Sequence, residues 1–179
     1  MQFISRPAVT LSKTRAEAGG WVASAYQGGS GHQANPASIH VVREKVQGER
    51  ALVALEYEDT EGRHWSYVYG AHLQNDGNWK ASGGWGGSDT GHPQRPLPWV
   101  NLGGSGNDSS FCAGGRVHGE GVDRVRLTSP DGRTIEDQIQ NGVALLLGDA
   151  PFGVPYTVEL LDHSGNVIGT HAWGHRPPT

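Results

Sequence analysis

Four times along this chain, two runs of alternating apolar and polar residues are joined by three residues ending in glycine. The loops are Thr60, Glu61, Gly62; Asn75, Asp76, Gly77; Pro130, Asp131, Gly132; and His163, Ser164, Gly165. A three-residue hairpin loop is a type I turn followed by one residue at positive φ, where glycine carries no Cβ penalty. Pro130 presets φ for its turn, and the Asp and Asn side chains bond to nearby backbone. Strand side chains alternate with period two, so each loop also sets the register across it. Such a chain is committed to antiparallel β-structure.

That register can be checked against the side chains. Closing the first loop pairs Asp59 with Arg63, and therefore Tyr57 with Trp65, Leu55 with Tyr67 and Val53 with Tyr69. A slip of one residue would set Glu56 against Trp65 and break the match. The second loop pairs Leu73 with Trp79, His72 with Lys80 and Ala71 with Ala81. Residues 39–87 thus read as an antiparallel meander with one aromatic face: Tyr57, Trp65, Tyr67, Tyr69 and, if the last strand runs on, Trp85. The third loop pairs Leu127 with Ile135 and Arg126 with Glu136, and sets Asp137 opposite Val125 on an apolar face. A carboxylate there needs partners or a raised pKa. A bulge or a hydrogen bond to loop amides is the structural reading, and a functional acid is the alternative. At Asn141-Gly142 a two-residue hairpin would set Val143, Leu145 and Leu147 against Gln140, Gln138 and Glu136. The chain is therefore expected to turn a corner there into a second sheet.

Composition agrees with this. Twenty-eight of 179 residues are glycine, and long Ala/Leu/Glu/Lys stretches are missing, as suits an all-β chain. Residues 1–38 read as an arm with little regular structure that covers a sheet edge or adds an edge strand. Residues 88–110 read as an irregular connection, because Gly and Pro at that density do not suit a central strand.

The second half carries a resemblance. Its residues are Ala113 to Val117, Val122 to Leu127, Pro130-Asp131-Gly132, Asn141-Gly142-Val143, Val158 to Asp162, and Gly165 to Ile168. This pattern of turns and alternation across 111–173 resembles a bacterial immunoglobulin-like β-sandwich module. The resemblance implies a sandwich over 111–175 and a role as spacer or binding domain, and it implies no catalytic residues. The expected fold class is all-β, a meander followed by an immunoglobulin-like sandwich, the two able to pack as one unit.

Function is less legible. The net charge is −4 with both signs interspersed, so no basic stripe points to nucleic acid. The single cysteine, Cys112, excludes an intramolecular disulfide and a cysteine-built metal site, and it reads as a small buried apolar group. Nine histidines are dispersed without metal-ligand spacing, so neither metal nor cofactor is expected. No run approaches the ~20 apolar residues of a membrane span, and the first residues lack a signal-peptide pattern. The reading is a cytoplasmic protein, with an exported mature form as the alternative. The candidate ligand site is Trp85 and Trp99 in the Gly/Pro-rich stretch, with His92 and Arg95 as polar neighbours. Aromatic faces there suit a carbohydrate or a protein ligand. The expected function is a non-catalytic binding or interaction protein. A structural subunit of a homo-oligomer comes second, and an enzyme whose site is not visible in sequence comes third.

Overall fold

The structure, a computed structural model, describes residues 34–88, 96–106, 110–149 and 155–174. The fold is all-β and antiparallel. A short 3-10 helix, Pro36–Ser38, precedes the first sheet, which has the order β1 (His40–Gln47), β2 (Arg50–Glu58), β3 (His64–Leu73), β4 (Trp79–Ser88). The second sheet joins β5 (Trp99–Gly106) and β6 (Phe111–His118) to β9 (Val143–Gly148). In the third, β11 (Val167–Trp173), β10 (Tyr156–Leu161), β7 (Arg124–Thr128) and β8 (Thr134–Gln138) lie in that order. Among the described residues no helix is long and apolar enough to cross a membrane.

The hairpin registers follow the loops. Tyr57 pairs with Trp65, Leu55 with Tyr67 and Val53 with Tyr69; Leu73 pairs with Trp79; Val125 pairs with Asp137. The crossing into a second sheet is as expected, but the turn itself does close as a two-residue hairpin, with Gln140 and Val143 exchanging backbone hydrogen bonds before the strands part. Asn141 and Gly142 take φ of 53° and 74°, and the chain leaves β8 to pair β9 with β6 in the second sheet.

Two further expectations are corrected. Residues 88–110 are not an irregular connection throughout, because β4 continues to Ser88 and Trp99–Gly106 forms β5. The glycines here clear space instead of breaking strands. A Cβ on Gly84 or Gly86 would run into the Tyr67 ring, and one on Gly103 would run into the Trp85 indole. The second correction concerns Trp85. Ala71 pairs with Ala81 but Gly70 pairs with Gly83, so Ser82 is an extra residue. One inserted residue inverts every later side chain. Trp85 therefore lies opposite Val68 and points away from the tyrosine face.

That inversion helps join the sheets into three layers. Leu52, Ala54 and Val68 of the first sheet meet Val143, Leu145 and Leu147 of the second, with Trp85 and Cys112 packed against them. The other face of the second sheet presents Val100, Ala113, Ala144 and Leu146 to Val125, Leu127, Val158 and Leu160 of the third. A strand buried on both faces reads as a continuous apolar run, and every residue of β9 is buried. Its neighbour β6 carries Ala113, Gly114 and Gly115 at buried positions, where small residues let the layers approach.

The loop acids are structural. Asp59 Oδ1 accepts from the Glu61 and Arg63 backbone N–H groups, both at 2.9 Å. Its Oδ2 accepts from Arg63 Nε at 2.8 Å and Trp65 Nε1 at 2.9 Å. Burial pushes this carboxyl up, but the hydrogen bonds from Arg63, Trp65 and Glu61 outweigh it and hold it well below the usual carboxylate range. A depressed carboxylate contributes stability above its unfolded pKa, and that contribution is lost as pH falls toward the folded value. Asp59→Asn is thus expected to lower stability at neutral pH. It is also expected to flatten the fall in melting temperature between about pH 5 and pH 2, which thermal unfolding across that range measures.

Candidate functional site

The seam between the first and second sheets holds the buried ion pair Arg43–Asp137 and several polar ties between strands distant in sequence. At one end, β1 has a register shift between Val41 and Arg43. This places Arg43 opposite Ala54 on the inner face, where it is 8 % exposed, against 5 % for Asp137. Arg43 Nη1 donates to Asp137 Oδ2 at 2.5 Å and Nη2 to Oδ1 at 3.0 Å, a two-pronged pair. Lys45 Nζ adds a third bond at 2.7 Å. The same groups reach β9. Leu145 N–H donates to Asp137 Oδ2 at 2.7 Å, and Arg43 Nη1 also donates to Val143 C=O at 2.7 Å. Strand β9 is an edge of its sheet, and an edge leaves backbone groups unpaired. The Arg43–Asp137 pair supplies it with one acceptor and one donor, as a neighbouring strand would. Asp137 is therefore accounted for structurally: one carboxylate binds all three sheets. The β8 register runs unbroken through Asp137, so the irregularity lies in β1 instead, and the amide that Asp137 accepts from belongs to a strand, not a loop.

Further ties cross the seam. Arg50 Nη1 donates to Gly148 C=O at 2.6 Å, Asn141 Nδ2 donates to Val42 C=O at 2.8 Å, and Arg116 pairs with Glu56. Two clefts open along it. One, of about 160 Å³, is lined by Arg50, His72, Ser82, Ser105, Ser110 and Cys112 among others. Cys112 is half-buried there rather than fully buried, with Sγ 3.5 Å from Ser105 C=O. The other, of about 100 Å³, is lined by Ser66, Trp85, Asn101, Gly103, Gly114 and Arg116 among others.

The second cleft is where the tryptophans matter. Trp85 Nε1 donates to Gly114 C=O at 2.9 Å, and its indole covers Gly103. Trp85 is thus a wall bonded into the seam and not a free platform. Trp99 stacks on His118 across the β5–β6 ladder, with centroids 4.1 Å apart and planes within 12°. Alternation along β5 puts Trp99, Asn101 and Gly103 on one face, the face that meets Trp85. The two tryptophans therefore share a surface, with Asn101 paired to Arg116 between them. His92 and Arg95 lie outside the described residues. Sequence reasoning missed Asn101, Arg116, Glu56 and His118 because Trp99–Gly106 did not read as a strand. Once it does, pairing with β6 sets Asn101 beside Arg116 and Trp99 beside His118, while Glu56 comes from β2 across the seam.

No family model matches the chain, and no curated protein sequence matches it. The functional reading rests on the geometry of the seam.

Proposed function

We propose that this chain is a non-catalytic binding protein whose ligand is a carbohydrate, held along the surface from Trp85 past Asn101 and Arg116 to the Trp99–His118 stack. The observation that carries the reading is the shared face itself: the Trp99–His118 stack, with Asn101 and Arg116 between it and the Trp85 wall. A sugar ring offers an apolar face to an aromatic ring and hydroxyls to Asn, Arg and Glu side chains. Size also supports a surface mode. Sites that engulf a small molecule run to ~300–1,000 Å³, and the two clefts are about 160 and 100 Å³. The immunoglobulin-like reading of 111–173 belongs to this proposal, since the resemblance implies a role as spacer or binding domain.

The test is a glycan array with the full chain, followed by titration of any retained oligosaccharide. Trp99→Ala and Arg116→Ala are each expected to weaken binding about tenfold or more, with little change in melting temperature. Retention of no glycan at millimolar concentration overturns the reading. A mass well above 19.1 kDa at low concentration would instead favour a homo-oligomeric subunit.

A further inference from the structure

The outer face of the first sheet is buried along β2 and β3, with Gly84 and Gly86 of β4 exposed beside it, yet none of the described strands lies over it. Val53, Leu55, Tyr57 and Tyr69 are each no more than 3 % exposed. Ala34, Ala51, Tyr67 and Ala71 complete their cluster, with Ile39, Val41, Trp65, Trp79 and Ala81 packed at its rim. All of these belong to the sheet itself or to the segment leading into β1. An antiparallel sheet with one wet face alternates buried and exposed residues. In β2, residues 51–55 are buried without interruption, so both faces are covered.

We propose that residues 1–33 of this same chain are the cover, lying across the tyrosine face as an intramolecular arm. The chain enters the described region at the rim of that face. Ala34 bridges to Asp59, just beyond β2, and is itself part of the cluster. Asn35 N–H donates to Glu58 C=O at 2.8 Å. Length singles out this segment, since no other stretch outside the described residues exceeds seven residues. Thirty-three residues can reach ~110 Å when extended. The face is only roughly 15 Å across its strands and ~20 Å along them, so one or two passes suffice. The chemistry fits as well. The segment offers Phe3, Ile4, Leu11, Trp21, Val22 and Tyr26. It carries three basic residues and one acidic, in a chain of net charge −4. Glu44 stands on the outer face, opposite Val53.

The experiment is hydroxyl-radical footprinting of the full chain, with mass read by light scattering. In the unmodified chain Tyr57 and Tyr69 are expected to be protected in a monomer. In Trp21→Asp/Val22→Asp they are expected to label about tenfold faster, while Trp85 in the seam does not change. A second measurement covers the case in which that variant fails to fold. A protease site inserted between Gly29 and Ser30 of the full chain is cut after folding. The released arm is expected to co-elute with the body, and to be lost when Ala81→Glu is introduced at the rim of the face. Three results overturn the proposal. One is unchanged slow labelling in the double variant. Another is prompt loss of the cut arm from a body that keeps its fold. The third is protection that disappears on dilution of a dimer, which would assign the face to a second copy.

Discussion

Asp137→Ala is expected to destabilise the chain by about 3–5 kcal/mol, the cost of leaving a buried cation without its partner. For a chain of this length that lowers the melting temperature by roughly 6–20 °C, and urea unfolding measures the free-energy loss directly. Three groups lose their acceptor together. Arg43 is left as an unpaired cation in the interior, its side chain only 6 % exposed and still tied to the Val143 C=O. The Leu145 N–H is orphaned on the edge of the middle sheet. Lys45, whose side chain is 27 % exposed, can turn to water and contributes least. Replacing both members of the pair separates charge from hydrogen bonding. Arg43→Met with Asp137→Leu leaves no buried charge and is expected to cost less than either single change. It does not restore full stability, because the Leu145 N–H stays unsatisfied, at ~1–3 kcal/mol, whereas the Val143 C=O still accepts from Gln140 N–H at 3.2 Å. A double variant as unstable as Asp137→Ala would show that the charges are not what the site turns on.

Gly103→Val has the next largest expected effect. Its Cβ would occupy the position of the Trp85 indole, and two packed layers cannot both yield. Overpacking of this kind costs about 1–3 kcal/mol and at times more. Trp85→Ala alone is expected to cost about 3–5 kcal/mol, since it empties the seam, and it frees the Gly114 carbonyl. The valine would then have somewhere to go. Combined, the two changes are expected to fall short of additivity by about 1–3 kcal/mol. Strict additivity in chemical unfolding would mean that the indole and Gly103 do not meet.

These two sites also mark where the sequence could and could not be read. Registers next to Thr60–Gly62, Asn75–Gly77 and Pro130–Gly132 are legible, because a period of two punishes any slip with a visible mismatch; past His163–Gly165 the pairing shifts, Leu161 lying opposite Val167 but Leu160 opposite Gly169. Trp85 lies on the other face because Ser82 is one extra residue; Gly83-Gly84 is the kind of pair that marks a bulge, but glycines are so frequent across 83–87 that the pair does not single out the position. Strand β5 looked like loop because the ring that fills the space above Gly103 comes from Trp85, in another sheet. Asp137 stood out as anomalous at once, but Arg43 lies 94 residues away and nothing local names it. The polar groups between the tryptophans were hidden for the same reason as β5. Short-range rules fail where the deciding neighbour is distant in sequence.

The stacking order of the sheets has a consequence for how the protein is made. The middle layer takes its third strand, β9, from residues 143–148, long after the first layer ends at Ser88. A ribosome adding ~5–20 residues per second needs roughly 3–12 s to cross that interval. Throughout it the inner face of the first sheet, with Leu52, Ala54 and Val68, has no β9 to close upon. Contacts this distant in sequence also slow folding itself. The nascent chain therefore carries an adhesive apolar surface for seconds, and conditions that shield it during synthesis should govern how much folded protein is recovered.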